Sequence, residues 1–374
     1  MKKKLIAIAV GSALSIPAVA LADVTVYGRA HVSVDYLDDG AKYSETNLSS
    51  NASRLGFKGD HAINPDLKAF FQIEQQINFT TGASSGGTDF ATRDTFVGLS
   101  SNFGAIQVGR FDSPFKVARG PFNLFSDQVG DMNNLARVTA GRLDERYDNT
   151  IQYTTPDFNG FNVKVAYSMY KGQSLNITDT SANNEDSDAF STSLNYIGGP
   201  LEASLAYEKV EEDTLRSTTV GTNRGEADSY RAAAAYKITD SFKLVGFYQT
   251  TDFSGISGTT SAQRDAGTFD VYGLGGELAI AKNTALKATY MTHDSDAKKS
   301  DADMWVVGVE HKLDKAVRVY ANYAVVDNDD NVAYSPWMQQ ARTASPSNQS
   351  IVNGVNEAAG EKAAGFTVGL RYDF

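Results

Sequence analysis

The sequence predicts an all-β fold: a closed, 16-stranded antiparallel transmembrane β-barrel with an inward-folded third loop. Three observations carry that prediction. Strand-length segments alternate apolar and polar residues from one end of the chain to the other. The connections between them alternate long and short. No stretch after residue 22 holds the roughly 18 apolar residues that a spanning helix needs.

The first 22 residues read as a secretory signal peptide, so the barrel domain is expected to span 23–374. Lys2, Lys3 and Lys4 precede an apolar run that begins at Leu5, and Ala20-Leu21-Ala22 offers small residues for cleavage before Asp23. A membrane anchor would need a longer apolar core. Removing the leader's lysines takes the formal net charge from −11 to −14, which argues against a nucleic-acid partner. Cysteine is absent, so neither disulfides nor thiolate metal sites contribute. A mean hydropathy of −0.32 looks soluble, but half of every barrel strand faces water.

The first strand sets Val24, Val26, Ala30, Val32, Val34 and Tyr36 against Thr25, Tyr27, Arg29, His31, Ser33 and Asp35. Side chains alternate across a strand, so this is one greasy face and one wet face. Interior strands are expected near 51–60, 66–79, 92–101, 104–110, 147–155, 160–170, 188–197, 200–211, 227–237, 241–252, 269–280, 283–293, 303–313 and 316–327. In the last, Phe366, Val368, Leu370, Tyr372 and Phe374 alternate with Gly365, Thr367, Gly369, Arg371 and Asp373. The segments near 241–252 and 269–280 alternate poorly and rest on spacing. Short connections carry turn chemistry, such as Asn64-Pro65-Asp66, Gly198-Gly199-Pro200 and Thr239-Asp240-Ser241. Long ones are polar: 37–50, 80–91, 111–146, 171–187, 212–226, 253–268, 294–302 and 328–362.

An open sheet of this size would leave two bare edges, and hydrocarbon offers their backbone groups no partner. Closing the first strand on the last removes both. Sixteen strands leave an aqueous channel, whereas about eight would be filled by side chains. Aromatic residues gather at strand ends, among them Tyr27, Tyr36, Phe103, Phe158, Tyr236 and Phe374, as boundary girdles require.

The connection 111–146 is the functional candidate. It is long and partly apolar, with Phe115, Phe122, Leu124, Phe125, Val129 and Met132. That much apolar surface suits a loop packed against the inner wall, which would stand Asp112, Asp127 and Asp131 in the channel. A lid or an adhesive surface loop is the other reading.

Several stretches resemble the general trimeric porins of Gram-negative outer membranes. They are Asp23 to Gly28, Ser53-Arg54-Leu55-Gly56-Phe57-Lys58-Gly59, Phe71 to Phe79 with Glu74, and Thr92-Arg93 leading to Phe96-Val97-Gly98-Leu99. Gly109 to Phe115, Arg146 to Tyr153 and the terminal Phe374 complete the set. The resemblance implies a constriction loop at about 111–146, a wall of arginines facing it, and a homotrimer latched by the second loop. It implies contact with outer-membrane lipid and lipopolysaccharide, and recognition of Phe374 by the barrel-assembly machinery. Arg54 matches the first wall arginine, and parity agrees, because Leu55 and Phe57 face lipid. Glu74 lies on the wet parity of its strand. Arg93 matches the second wall arginine, although Val97 and Leu99 share its parity. Arg146 shares parity with Thr150 and Gln152, and Arg142 stands beside it as a further candidate.

The function these residues imply is an outer-membrane, water-filled channel for passive diffusion of ions and small hydrophilic solutes, filtered by charge. No cofactor is implied. Acidic outer loops (Asp38-Asp39, Glu185-Asp186, Glu211-Glu212-Asp213, Asp301, Asp303, Asp327, Asp329, Asp330) serve solubility or hold divalent cations shared with lipopolysaccharide phosphates. An enzyme is disfavoured, since His31, His61, His293 and His311 stand apart in sequence with no HExxH. The competing reading is a substrate-specific channel for sugars or small organic anions. A sugar channel would need a ladder of inward aromatics, for which Tyr27, Phe70, Tyr170 and Tyr320 have the parity. Ion preference stays open: the net charge suggests cations, the arginines anions.

Overall fold

The computed structural model describes residues 23–82, 90–137, 143–169, 188–211, 226–254, 268–337, 351–352 and 355–374. Among them, sixteen strands form one antiparallel sheet closed on itself. They are β1 (Asp23–Asp38), β2 in two pieces (Ser44–Ser50 and Arg54–Asn64), β3 (Leu67–Gln76), β4 (Thr95–Ser101) and β5 (Gly104–Asp112). After a long connection come β6 (Arg146–Thr154), β7 (Phe161–Ser168), β8 (Ala189–Gly198), β9 (Leu201–Glu211) and β10 (Glu226–Lys237). The barrel finishes with β11 (Phe242–Ser254), β12 (Phe269–Ala281), β13 (Thr284–Ser295), β14 (Ala302–Lys312), β15 (Val317–Asn328) and β16 (Ala363–Asp373).

Closure runs from Arg29↔Asp373 to Asp38↔Ala364 along β1 and β16. Past that register the Gly28 N–H donates to the Phe374 carbonyl at 2.8 Å, and the Phe374 N–H donates back at 3.0 Å. The Phe374 ring lies where a Cβ on Gly28 would stand, so glycine there lets the terminal aromatic close over the seam.

Outward parity is apolar: Val26, Val34, Val97, Leu99, Ile106, Ile151, Leu205, Leu274, Val307, Val368 and Leu370 are all exposed. Inward positions are polar or buried, among them His31, Ser33, Asp35, Gln152, Ser193 and Thr367. Toward the long-loop ends the outer face carries tyrosines that donate to outward aspartates. Tyr290 donates to Asp303 at 2.8 Å and Tyr272 to Asp270 at 3.1 Å, while Tyr167 donates to Asp188 and Tyr207 to Asp228. Phenol tips tied to carboxylates at the rim, with rings on apolar surface below, are what a lipid–water boundary selects. Tyr27 is an exception to the expected girdle: it turns inward and donates to Glu74 at 3.0 Å.

One departure from the sequence reading has a local cause. The second strand starts at Ser44 rather than near 51, so the first long connection shrinks to 39–43. Ser44 to Ser50 is polar on nearly every position, which erases the alternation that would reveal a strand. The strand breaks at 51–53, where Ala52 has φ 51° and the Asn51 amide donates to Ser33 Oγ at 2.7 Å. It resumes with Arg54 opposite Arg29. The weak alternation of β11 and β12 also has a reason: Val245, Phe247, Phe269 and Val271 are inward yet apolar, and all are buried. Something apolar covers the inner wall there, and the site supplies it.

A bulge between Gly109 and Phe111 ends the regular register of β5 with β6. Gly109 takes φ 145°, and a Cβ there would overlap the Thr95 carbonyl oxygen. Gly109→Ala is therefore expected to cost about 1–3 kcal/mol through backbone strain. Urea unfolding followed by heat-dependent gel mobility measures it; an unshifted midpoint would show that the bulge tolerates a side chain.

Candidate functional site

The segment between β5 and β6 lies against the inner wall. It opens with a short helix α1 (Pro114–Val117), capped by Ser113, whose side chain accepts from the Lys116 N–H at 3.1 Å. A second short helix, α2 (Asn133–Ala136), follows. Between and around them Phe115, Phe122, Phe125, Val129, Met132 and Leu135 are buried. Phe122 packs on Phe247 with ring centroids 5.3 Å apart. Gly273 faces the Phe122 ring, Gly308 faces Phe125, and Gly365 faces Val129, so inward glycines on the wall make room for the loop. Burial of this kind stabilises by about 2 kcal/mol per large side chain.

Polar contacts fix the loop's height. Arg231, fully buried on β10, donates to the Phe115 carbonyl at 2.9 Å and to Asp144 at 3.0 Å, and stacks over the Phe115 ring at 3.9 Å. Gln249 donates to the Ala136 carbonyl at 2.8 Å, Asn322 to Gln128 at 2.5 Å, and the Phe115 N–H to Ser191 at 3.0 Å. Burial would push the Asp144 carboxyl up, but Arg231 and Arg119 outweigh it and hold it at about 2. Asp144 therefore stays ionised well into the acid range, and the pair with Arg231 with it.

Opposite the loop stand the arginines. Arg29 and Arg54 face each other across β1 and β2. Glu74, only 5% exposed, gathers its neighbours: Arg93 Nε at 2.5 Å, Arg54 Nε at 3.5 Å and the Tyr27 hydroxyl. It holds the arginines in place rather than presenting a free charge to the bore. Arg93 precedes the first residue of β4, and its own N–H donates to the Glu74 carbonyl, so strand parity does not govern it. Asp127 reaches across from the loop to Arg29 at 3.2 Å. Burial raises its carboxyl, and Arg29, His31, Arg54 and Arg93 together pull it below the usual range.

Other candidates go elsewhere. Asp131 is buried within the loop and accepts the N–H groups of Asp127 at 2.6 Å and Asn133 at 2.9 Å. Burial pushes its carboxyl up to about 6. It shapes the turn that presents Asp127, which itself has φ 61°. Asp112 and Arg146 are cross-strand partners; Arg146 reaches Asp112 at 2.9 Å and also pairs with Asp94, and Lys116 reaches Asp112 at 3.1 Å. The irregular stretch at Asp148 and Asn149 aligns Tyr147 with Phe111 on the inside, so counting parity back from Thr150 does not place Arg146. Arg142 lies outside the described residues.

Arg29 is the residue that sequence reasoning left out of the site. Its inward parity was legible, but its importance comes from neighbours 98 and 344 positions away, Asp127 and Asp373. Of the acidic outer residues, Asp303 accepts from Tyr290 and Thr292, while Asp327 pairs with Lys362 and Asp330 with Lys299. Among the described residues no three metal-ligating side chains converge.

A sequence profile described as Gram-negative porin matches residues 6–331. Outer membrane porin protein 32 of Delftia acidovorans is 30% identical over 386 residues, which cover 100% of both chains. Major outer membrane protein P.IB of Neisseria meningitidis serogroup B is 31% identical over 211 residues, 53% of this chain and 56% of that one. Among solved structures, an anion-selective porin from Comamonas acidovorans superposes with a TM-score of 0.73 at 27% identity, covering 94% of this chain and 100% of that. OmpT of Vibrio cholerae in its trimer form shares the fold, with a TM-score of 0.64 at 17% identity over 94% of this chain and 99% of that.

Removing one partner of a buried ion pair typically costs about 3–5 kcal/mol. Arg231→Ala leaves Asp144 with Arg119 alone. It should lower the unfolding midpoint and increase open-channel current noise as the loop loosens. Quiet current and unchanged stability would mean that the apolar contacts hold the loop without this anchor.

Proposed function

The chain belongs to the Gram-negative porin family and is an outer-membrane channel for passive diffusion of ions and small hydrophilic solutes; we propose that it favours anions, filtering them between the loop and the Arg29–Arg54–Arg93 wall. The observation that carries this reading is the sharing of carboxylates. Glu74 serves both Arg54 and Arg93, and among the described residues Asp127 pairs with Arg29 alone. Arginine stays charged at any relevant pH. A row of fixed guanidiniums along a narrow bore with low-dielectric walls focuses a field that draws anions in and holds cations back.

The chain's negative net charge does not oppose this. Much of it sits away from the bore, on outward aspartates such as Asp228, Asp270 and Asp303 that receive tyrosine hydroxyls. Arg54, Glu74, Arg93 and Asp127 are the residues we assign to the narrowest point; Asp112 and Arg146 flank it, and Asp131 supports the loop from within. The anion-selective relative from Comamonas acidovorans is consistent with this sign.

A sugar-specific channel fits less well. Tyr27 is committed to Glu74, Tyr320 to His31 at 2.7 Å, and Phe70 stacks edge-on with Phe96, so among the described residues these three make no continuous ladder; Tyr170 lies outside the described residues. We read the chain as a channel and not an enzyme. We also take the working form to be a homotrimer of chains that begin at Asp23 after loss of the leader, in line with the trimeric relative.

Two measurements test these readings. Arg54→Glu should move the zero-current potential in a salt gradient toward cations, and Arg54→Gln should move it less; no shift would place Arg54 outside the filter. Intact mass spectrometry of the detergent-purified assembly should report three copies starting at Asp23, and any other stoichiometry or start would refute that part.

A further inference from the structure

We propose a second oxyanion-binding stage at the short-turn mouth of the bore, formed by Arg318 and Arg371 and backed by Lys287 and Lys312. It rests on the anion-channel reading above and says where, beyond the loop, such a solute pauses.

Arg318 and Arg371 are direct cross-strand partners on β15 and β16. Both share the inward parity of their strands: Tyr320 is 3% exposed on β15, and Thr367 is fully buried on β16. Like charges directly opposite on one face of a sheet repel. The compensation here is partial. Asp373 accepts from Arg371 Nε at 2.9 Å and from Arg29 Nε at 2.8 Å. Arg318 comes no nearer than 3.7 Å to Asp373 and 3.7 Å to Glu310, both beyond hydrogen-bond reach. Among the described residues, its buried Nε has no hydrogen-bond partner. Glu310 is already engaged by Lys287 at 2.9 Å, and Lys312 is the cross-strand neighbour of Arg318 on the other side.

Cations therefore outnumber carboxylates among the described residues here, and Arg318, its side chain 24% exposed, holds terminal N–H groups with no carboxylate in hydrogen-bond reach beside a second guanidinium. The partner this chemistry fits is a small solute with several acceptor oxygens, a carboxylate or phosphate. Planar forks bind such groups with parallel N–H donors, whereas chloride offers a single centre. The place is also apt. Arg318 follows the turn at 313–316, and the Asp373 N–H donates to the Ala316 carbonyl in that turn at 3.0 Å, so the pair lies at the short-turn rim, which in outer-membrane barrels faces the periplasm. An anion that clears the filter meets this pair on its way out.

The test uses the full chain in planar bilayers, passing potassium chloride current, with sodium succinate or inorganic phosphate added on the short-turn side. Wild-type current should fall as either anion is added. The double variant Arg318→Gln, Arg371→Gln should raise the half-blocking concentration about tenfold or more, while the zero-current potential stays on the anion side. The Arg318→Lys, Arg371→Lys variant keeps charge but loses the forks and should fall between. Block by succinate alone assigns carboxylates, and block by phosphate alone assigns phosphates. Should the double variant not reach its folded gel mobility, single Arg318→Gln is read in its place. Equal block in wild type and glutamine variants, or no block of wild type by either anion, overturns the stage. A wild-type protein that passes no current would instead refute the channel reading.

Discussion

Every backbone N–H and C=O in hydrocarbon needs a partner from the chain itself, and this constraint governs the molecule. It forces the first strand onto the last. The seam is continuous from Asp38↔Ala364 to the paired hydrogen bonds of Gly28 and Phe374. With no free edge, each strand is held on both sides, and each side chain has only two directions to point. Everything charged must then go to the water-filled inside or to the rims, where the outward aspartates meet tyrosine hydroxyls.

A closed bore of this width is a problem as well as a solution, because a wide hole has no selectivity. The segment between β5 and β6 narrows it, and the wall has adapted to receive that segment. β11, β12 and β14 carry apolar residues inward (Phe247, Val271, Met304, Val306), and glycines such as Gly273 and Gly308 leave space for phenylalanine rings. The hydrophobic core of this protein therefore lies inside the barrel, between loop and wall, rather than between two sheets. Arg231 and Asp144 lock its position, since a buried guanidinium and a buried carboxylate must stay together.

The opposite side of the bore is organised by economy of acids. Glu74 and Asp373 each serve more than one arginine, which fixes guanidinium geometry. The same sharing of one carboxylate between two arginines recurs at two heights, once beside the loop and once near the short-turn rim. Asp127 differs from both: it comes from the loop and ties the two halves of the site together.

Alternation and connection length were enough to infer the barrel and its strand number, because sidedness in a strand is a local property with a period of two. The wet parity of Arg54 and Glu74 was legible for the same reason. The first piece of β2 was not, since Ser44 to Ser50 has no apolar face to betray it. Arg93 and Arg146 escaped parity because a strand start and a bulge interrupt the count. The contacts of Arg29, Asp131 and the Arg318–Arg371 pair arise only in three dimensions. Ion pairs depend on distance through space, and the barrel brings Arg29 beside Asp373, 344 positions away, which no local pattern records.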